Sequence, residues 1–219
     1  WGYHNFQPHE TFRVAGVEMG ESLEEFVERS QDYQARLLEF AVHAYRRAKG
    51  KVVGYFQFMF VEPWEGITWA VLDVERVPKK GFFALKEASS PVLLSLVPCL
   101  ERVEVGAPPL QEAWLVSDLD RPLSLRVRLR LEGPATLLLH EEEIALDAGE
   151  VRRFFGLGAL WESPLEVQAR FLPLREALAR IPPGAYRLVG EAWEGERLWS
   201  RHVLSVEYLE PILPLEVAW

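Results

Sequence analysis

The sequence predicts an α+β fold in two parts: an alternating helix–strand–helix segment over residues 1–91, then an immunoglobulin-like antiparallel β-sandwich over residues 92–219. Two observations predict this fold. The first part alternates a long helical pattern with an apolar, strand-like run, which is typical of α/β structure. Beyond Pro91 apolar and polar residues alternate with a period of two, which indicates short, half-exposed antiparallel strands.

The composition fits a globular protein and excludes several classes of partner. The 219 residues are 49% hydrophobic. The sequence contains no run of about 18 apolar residues, so it predicts no membrane span. The net charge of -9 repels phosphate backbones, so we expect no nucleic-acid partner. The N-terminus lacks the pattern of a secretory leader, and Cys99 has no second cysteine to pair with. We therefore expect a cytoplasmic protein in which Cys99 is a buried packing residue.

Two further features concern the source of the chain. Arginine outnumbers lysine nineteen to five, asparagine occurs once and methionine twice. This scarcity of thermolabile residues is typical of a thermophilic source. The first residue is Trp1 rather than methionine, which we interpret as the start of a fragment.

The first helix is predicted to begin after Ser22. Ser22 and Glu25 have the spacing of a capping box, and apolar residues then recur at helical spacing as far as Tyr45. Cations in the last turn complement the helix dipole, and Gly50 can adopt a left-handed cap. We therefore expect one helix of about seven turns that ends near Gly50.

Residues 52–60, VVGYFQFMF, are almost all apolar and rich in β-branched and aromatic side chains. This run predicts a strand that is buried on both faces, as in a parallel sheet. A long loop follows, and a second helix is expected from Gly81 to about Ser90, where Pro91 ends it. A (β/α)8 barrel needs eight strands and about 250 residues, so the first part could supply at most the terminal βα segment of such a TIM barrel.

The second part contains a series of short strands separated by Gly and Pro turn signals. Residues 123–131 alternate strictly, and the arginines at 126, 128 and 130 share one face, where we expect acidic neighbours to pair with them. Residues 175–181 are a candidate short helix. Further strands are predicted over residues 92–97, 113–116, 136–140, 151–155, 165–171, 186–193 and 198–208.

The most specific signal lies in residues 54–73, GYFQFMFVEPWEGITWAVLD. With the Pro-Lys, Ala-Leu and Pro-Val pairs that follow, this stretch resembles the end of the catalytic barrel in glycoside hydrolase family 2, especially its β-mannosidase and related exo-glycosidase branch. In that family the eighth strand and its loop run as G-x-x-x-W-Q-x-N-D-x-W-P-x-x-S-W-x-x-x-D. The matching positions are Gly54, Trp64, Ile67, Trp69, Asp73, Pro78, Lys79, Ala84, Leu85, Pro91 and Val92.

The sequence departs from the family pattern at several positions. Phe58 stands where the family has its strand-end Trp, Val61 where it has Asn, and Glu62 where it has Asp. These departures leave the sugar open among β-mannoside, β-galactoside and β-glucuronide.

The resemblance implies a retaining glycosidase with two catalytic glutamates at the ends of the fourth and seventh barrel strands. Both would precede this chain, so we expect no catalytic residue here and an inactive chain when it is alone. Active sites of barrels lie at the C-terminal ends of the strands. The predicted substrate-binding residues are therefore Phe58, Glu62 and Trp64, at the rim. Each has a plainer interpretation, as core for the aromatic residues and as a solvated loop charge for Glu62.

Other candidate chemistry is weakly supported. His4, His9 and Glu10 match no zinc motif, so we predict no metal site, and no Gly-rich nucleotide motif is present, so we predict no cofactor. Asp73 and Lys79 are expected to form a structural ion pair in the long loop.

Three hypotheses follow. The first is a glycosidase fragment whose partner is the upstream part of the same polypeptide or another subunit, with carbohydrate bound by the complete barrel. The second is a non-catalytic carbohydrate-binding or protein-interaction sandwich module. The third is a small hydrolase that uses Glu62 and Asp73 as its carboxylate pair. Because an incomplete barrel would expose the apolar helix face of Leu37, Leu38 and Ala41, we also expect that face to be covered, in a homo-oligomer, by the sandwich or by another chain.

Overall fold

A computed structural model describes residues 1–156 and 173–210 of the chain. The chain divides into two compact units, Trp1–Ser90 and Pro91–Trp219. We name them the helical unit and the sandwich unit. The combination of helices with antiparallel sheets confirms the predicted α+β class.

The long helix of the helical unit, α1, spans Leu23–Arg47. Its N-cap is Ser22, whose Oγ accepts a hydrogen bond from the backbone N–H of Glu25 at 3.2 Å. The Glu25 carboxylate in turn accepts from the N–H of Glu21 rather than from that of Ser22. The predicted start is therefore confirmed. The helix ends with a C-cap at Ala48, two residues before the glycine.

The short helix α2 spans Lys80–Ala88 and packs against α1. Gly81 lies at the contact, where an added Cβ would come within 2.7 Å of the Gln34 side chain. The Gln31 side chain accepts from the N–H of Lys80, and the buried Arg46 guanidinium donates to the carbonyl of Ala88 at 2.6 Å. Polar side chains of α1 therefore bond to both ends of α2.

Residues 52–60 do not form the predicted buried strand. Among the described residues they form no ladder, and only the isolated bridges Lys49↔Val52 and Val61↔Leu72 flank them. Val53 is fully exposed and Phe56 is 98% exposed. The prediction fails for the described chain because a parallel strand needs neighbours on both sides to satisfy its backbone, and the helical unit contains no other strand among those residues.

The N-terminal segment forms two short turns of helix. A 3-10 turn spans Gly2–His4, and a π-helix spans His9–Val14. Trp1, Phe6, Phe12 and Phe26 form an aromatic cluster with ring centroids 4.9 to 5.9 Å apart, and Phe26 is its buried member. This cluster holds the N-terminal segment against the start of α1.

The described part of the sandwich unit contains two sheets. The strands are β1 (Val92–Pro98), β2 (Arg102–Glu104), β3 (Leu110–Ser117), β4 (Leu123–Glu132), β5 (Thr136–Leu146), β6 (Val151–Gly156), β7 (Gly184–Glu194) and β8 (Arg197–Leu209). One sheet has the order β1-β3-β6, and the other has the order β2-β8-β7-β4-β5. All pairings are antiparallel except that of β2 with β8.

Most of the predicted strands are confirmed, with two differences. The strand β2 was not predicted, because three residues are too few to show a period. The strand β5 continues through the acidic run to Leu146, beyond the predicted end. The predicted strand over residues 165–171 lies outside the described residues. A helical turn over residues 173–178 overlaps the predicted helix.

The two sheets of the sandwich unit share one apolar core. Leu125, Val127, Leu129 and Leu131 of β4 are fully buried, as the alternation predicted. The sheets approach closely at Gly190 of β7, where an added Cβ would lie 2.6 Å from the side chain of Leu94. Close packing at such a point tolerates no larger residue.

Polar side chains also link the two sheets. Ser200 Oγ accepts from the N–H of Leu94 at 2.9 Å, and His202 Nδ1 accepts from the N–H of Leu96 at 3.0 Å. Both side chains belong to β8 and are buried, and both acceptors serve the free edge of β1. They therefore replace the neighbouring strand that β1 lacks on this side.

The arginine row of β4 carries the predicted acidic partners. Arg128 donates to Glu141 at 2.8 Å, and Arg130 donates to Glu132 at 2.6 Å and to Glu191 at 2.8 Å. These charge-assisted bonds raise the pKa of Arg130 and lower the pKa of Glu132 and of Glu191.

Two smaller predictions concern Cys99 and membranes. Cys99 is half-buried rather than fully buried, and burial raises the pKa of its thiol. Within residues 1–156 and 173–210 no helix combines the length and the apolar character that a membrane span requires.

Candidate functional site in the loop after residue 60

The loop between residues 60 and 79 folds back on itself. The N–H of Leu72 donates to the carbonyl of Phe60, and the N–H of Glu62 donates to the carbonyl of Leu72, both at 3.0 Å. The N–H of Lys79 donates to the carbonyl of Val71 at 2.9 Å. Val71 is completely buried. The apolar stretch at residues 70–71 therefore serves as the small core of the loop.

Glu62 lies inside this loop with both carboxylate oxygens occupied. Its Oε2 accepts from Thr68 Oγ1 at 2.6 Å, and its Oε1 accepts from Lys79 Nζ at 2.8 Å. Its side chain is almost completely buried, and Lys79 is mostly buried. A buried carboxylate needs such partners, because the interior does not solvate its charge as water does.

The predicted ion pair between Asp73 and Lys79 is wrong. Lys79 pairs with Glu62, while Asp73 Oδ1 accepts from the N–H of Val77 at 2.8 Å and so holds a local turn. The buried carboxylate has the greater need for a cation, and Asp73 instead bonds to backbone within its own turn. Glu62 and Asp73 are thus each held by a different part of the loop.

Phe58 projects from the chain just before the loop. Its side chain is 73% exposed, and its ring lies 6.2 Å from that of Trp69. Gln57 Nε2 donates to the carbonyl of Trp69 at 3.1 Å, which keeps the two segments together. The following residue, Met59, has a positive φ of 57°, which is uncommon for a residue with a side chain. The result is an exposed aromatic pair, Phe58 and Trp69.

Trp64 lies within the loop and is 39% exposed. Tyr3 approaches it edge-on at 5.5 Å, and the ring of His4 is stacked parallel to it at 6.3 Å. The N–H of Ile67 donates to the carbonyl of His4 at 2.7 Å. The structure therefore brings Phe58 to Trp69, and Trp64 to the N-terminal turn.

Tyr3 and His4 were not predicted as site residues. About sixty positions separate them from Trp64, and no motif connects the two segments. A Tyr-His pair close to other aromatic residues was the only signal in the sequence. The contact depends on how the N-terminal segment folds back along α1, which local patterns do not specify.

The histidines of the N-terminal segment have separate surroundings. His4 Nδ1 forms a hydrogen bond with the carbonyl of Glu65, and His9 Nδ1 lies 3.6 Å from the carboxylate of its neighbour Glu10. The predicted absence of a metal site remains a prediction.

The chain has relatives among glycosidases. It is 25% identical over 128 residues to beta-mannosidase B of Aspergillus niger, a match that covers 55% of this chain and 15% of the relative. Its fold is similar to that of a beta-D-mannosidase from Dictyoglomus thermophilum, with a TM-score of 0.68 and 13% identity over 95% of this chain and 23% of that chain. No protein-family model matches the chain.

A second fold relative is the exo-chitosanase CsxA of Amycolatopsis orientalis, with a TM-score of 0.58 and 13% identity over 85% of this chain and 20% of that chain. The chain spans less than a quarter of the length of each of these relatives. The sequence match and the fold similarity agree with the motif of residues 54–73. The chain is therefore similar to the C-terminal part of enzymes of glycoside hydrolase family 2.

Proposed function

We propose that this chain is the C-terminal part of a retaining glycoside hydrolase that acts on β-linked sugars of the β-mannoside, β-galactoside or β-glucuronide type. In this proposal residues 52–60 are the eighth strand of the catalytic barrel, and the loop after residue 60 forms part of the rim of its active site. The observation that carries the proposal is the apolar segment at residues 52–60, which pairs with no other strand among the described residues.

The free energy of burying apolar side chains supports the proposal that a partner covers this segment. Val53 and Phe56 are exposed, and burying one such side chain stabilises a protein by about 1.5 to 3 kcal/mol. Exposed side chains of this size in a row mark a surface that something covers. In a barrel the neighbouring strands would satisfy the backbone, and the barrel interior and the surrounding helices would bury these side chains.

The proposed division of labour follows from the chemistry of retaining hydrolysis. That reaction needs two carboxyl groups about 5 to 5.5 Å apart. The carboxylate pair considered for a small hydrolase is engaged internally, Glu62 by Thr68 and Lys79 and Asp73 by Val77. We therefore assign both catalytic glutamates to the rest of the barrel, which is supplied by the upstream part of the same polypeptide or by another subunit.

The three predicted site residues have different parts in this proposal. Phe58 and Trp64 are partly exposed aromatic side chains, which suit stacking on the C–H face of a sugar ring. Glu62 lies between them in sequence and holds the loop through its two hydrogen bonds. We propose that its contribution to sugar binding is to fix the position of Trp64 relative to Phe58.

The test compares the natural gene product that contains this chain with the 219-residue chain alone. Each is assayed on chromogenic β-mannoside, β-galactoside and β-glucuronide, and the anomeric configuration of the first product is read by NMR. We expect hydrolysis with retention by the gene product and none by the chain alone. Hydrolysis by the chain alone would instead favour the small-hydrolase hypothesis, and no hydrolysis by either would overturn the proposal.

A non-catalytic binding module is the second candidate. The observation that favours it is the apolar core of the sandwich unit, which is built from that unit's own residues. If this candidate function is correct, the gene product should bind an oligosaccharide or a protein without hydrolysing the glycosides tested above.

A further inference from the structure

The N-terminal turn is joined to the loop at the point where Trp64 lies. The carbonyl of His4 accepts from the N–H of Ile67 at 2.7 Å, and His4 Nδ1 is bonded to the carbonyl of Glu65 at 2.5 Å. These two hydrogen bonds hold Tyr3 and His4 beside Trp64. The three side chains belong to one unit and form a continuous aromatic surface.

The hydrogen bond to Glu65 fixes the tautomer of the His4 ring. A carbonyl oxygen only accepts hydrogen bonds, so Nδ1 must carry the proton and donate it. In the neutral ring Nε2 is then an acceptor. Within residues 1–156 and 173–210, no polar group bonds to Nε2. His4 therefore offers an acceptor whose direction is set by the loop.

The high exposure of Tyr3 distinguishes this surface from a packed core. Phe26, in the aromatic cluster next to it, is 4% exposed, whereas Tyr3 is 80% exposed. Because so little of its surface is buried, the Tyr3 side chain contributes little to the stability of the fold. The Tyr3 ring and hydroxyl are thus available to a ligand, as is the exposed part of Trp64.

We propose that Tyr3, His4 and Trp64 form a sugar-binding subsite of the proposed glycosidase. His4 Nε2 accepts a hydrogen bond from a sugar hydroxyl, and the aromatic rings contact the apolar C–H face of the same sugar. A pyranose carries both features, hydroxyls around its edge and C–H groups on its faces. This inference rests on the proposed function and adds two residues, Tyr3 and His4, to its substrate contacts.

The test uses the natural gene product and the variant His4→Asn. Asparagine can keep the donor that bonds to the carbonyl of Glu65 but removes the acceptor at Nε2. We expect KM to rise about tenfold, the equivalent of one hydrogen bond, while kcat changes less than about threefold and Tm stays unchanged. The matched control is His9→Ala, because His9 is an exposed histidine of the same segment whose ion pair is with its neighbour Glu10.

Tyr3→Ala is the second variant, since an 80% exposed side chain can be removed without loss of folding. It too should raise KM at unchanged Tm, and it decides the matter if His4→Asn lowers Tm. An active wild type whose KM is unaffected by both variants would overturn the subsite and leave the proposed function standing. A wild type without glycosidase activity would overturn both.

Discussion

The sandwich unit buries its apolar residues, whereas the helical unit leaves many of them exposed. In the sandwich unit each strand finds its partner within the same unit, and the inward side chains of β4 are fully buried. In the helical unit, large side chains remain exposed on α1 and on the segment that follows it. Examples are Leu37, Phe40, Val53, Phe56 and Phe58.

The difference follows from how strands pair. Antiparallel strands can be joined by short hairpins, so a chain of strands such as β4-β5 and β7-β8 supplies its own partners. Parallel strands need a crossover connection. If residues 52–60 are a barrel strand, as we propose, both of its neighbours lie outside the described part of the helical unit. The comparison therefore teaches that the unit whose strands pair with one another buries its apolar residues, whereas an apolar segment without a paired strand leaves them exposed.

The largest expected effect is on the core of the sandwich unit. Leu129→Ala removes a fully buried side chain of β4 and should lower the free energy of unfolding by about 2 to 5 kcal/mol. Phe56→Ala removes a larger but exposed side chain of the helical unit and should change it by less than about 0.5 kcal/mol. Urea unfolding of the purified chain measures both. If both variants lowered the free energy of unfolding equally, the two units would not differ in the burial of their apolar residues.

The next effect concerns the loop of the helical unit. Lys79→Met leaves the buried Glu62 carboxylate without its cation and should cost about 3 kcal/mol of stability. The double variant Glu62→Gln, Lys79→Met should recover part of that loss, because it removes the uncompensated charge. Asp73→Asn is the control, since its amide oxygen can still accept from Val77. Urea unfolding followed by tryptophan fluorescence provides the measurement.

A smaller effect is expected where the two sheets approach. Gly190→Ala places a methyl group 2.6 Å from the Leu94 side chain and should destabilise the sandwich unit by about 1 to 3 kcal/mol. Gly54→Ala in the helical unit meets no atom within 4 Å and should be nearly neutral. Thermal unfolding followed by circular dichroism compares them. A neutral Gly190→Ala would mean that the sheets are less closely packed than the structure indicates.

Loss of a helix cap should lower the stability of the protein less than a change in core packing does. Ser22→Ala removes the acceptor for the N–H of Glu25 and should cost about 1 kcal/mol. Ser30→Ala, in the interior of α1, should be neutral or slightly stabilising, because alanine is the better helix former. Amide hydrogen exchange of the first turn of α1 reports the local change. Equal protection in the two variants would contradict a capping role.

The smallest effect is electrostatic and lies on the surface of the sandwich unit. Hydrogen bonds from Arg121, and then from Trp199, lower the pKa of Glu194 from its ordinary 4.5 to about 2. Because the folded pKa is depressed, the stabilisation is complete above about pH 4.5 and is lost as the pH falls towards 2. Arg121→Ala should raise the pKa of Glu194 part of the way back, as measured by carboxylate NMR titration. Arg102→Ala, an exposed pair elsewhere in the unit, should not change it.

The sequence predicted the features that depend on nearby residues. The capping box at Ser22, both helices and the alternation of β4 followed from spacings within one element. The motif of residues 54–73 indicated the family resemblance. The same motif predicted Phe58 and Trp64 as site residues, which stays a prediction, and it did not predict that Tyr3 and His4 lie beside Trp64.

The sequence by itself thus determined the helices, most strands and the charged face of β4, because local hydrogen bonding and the period of apolar residues specify them. Only the tertiary structure decided that Lys79 pairs with Glu62 and that the N-terminal turn lies against Trp64. It also decided that residues 52–60 remain without a paired strand among the described residues. Such contacts join residues far apart in sequence, and burial, which selects among the available partners, is a property of the folded chain.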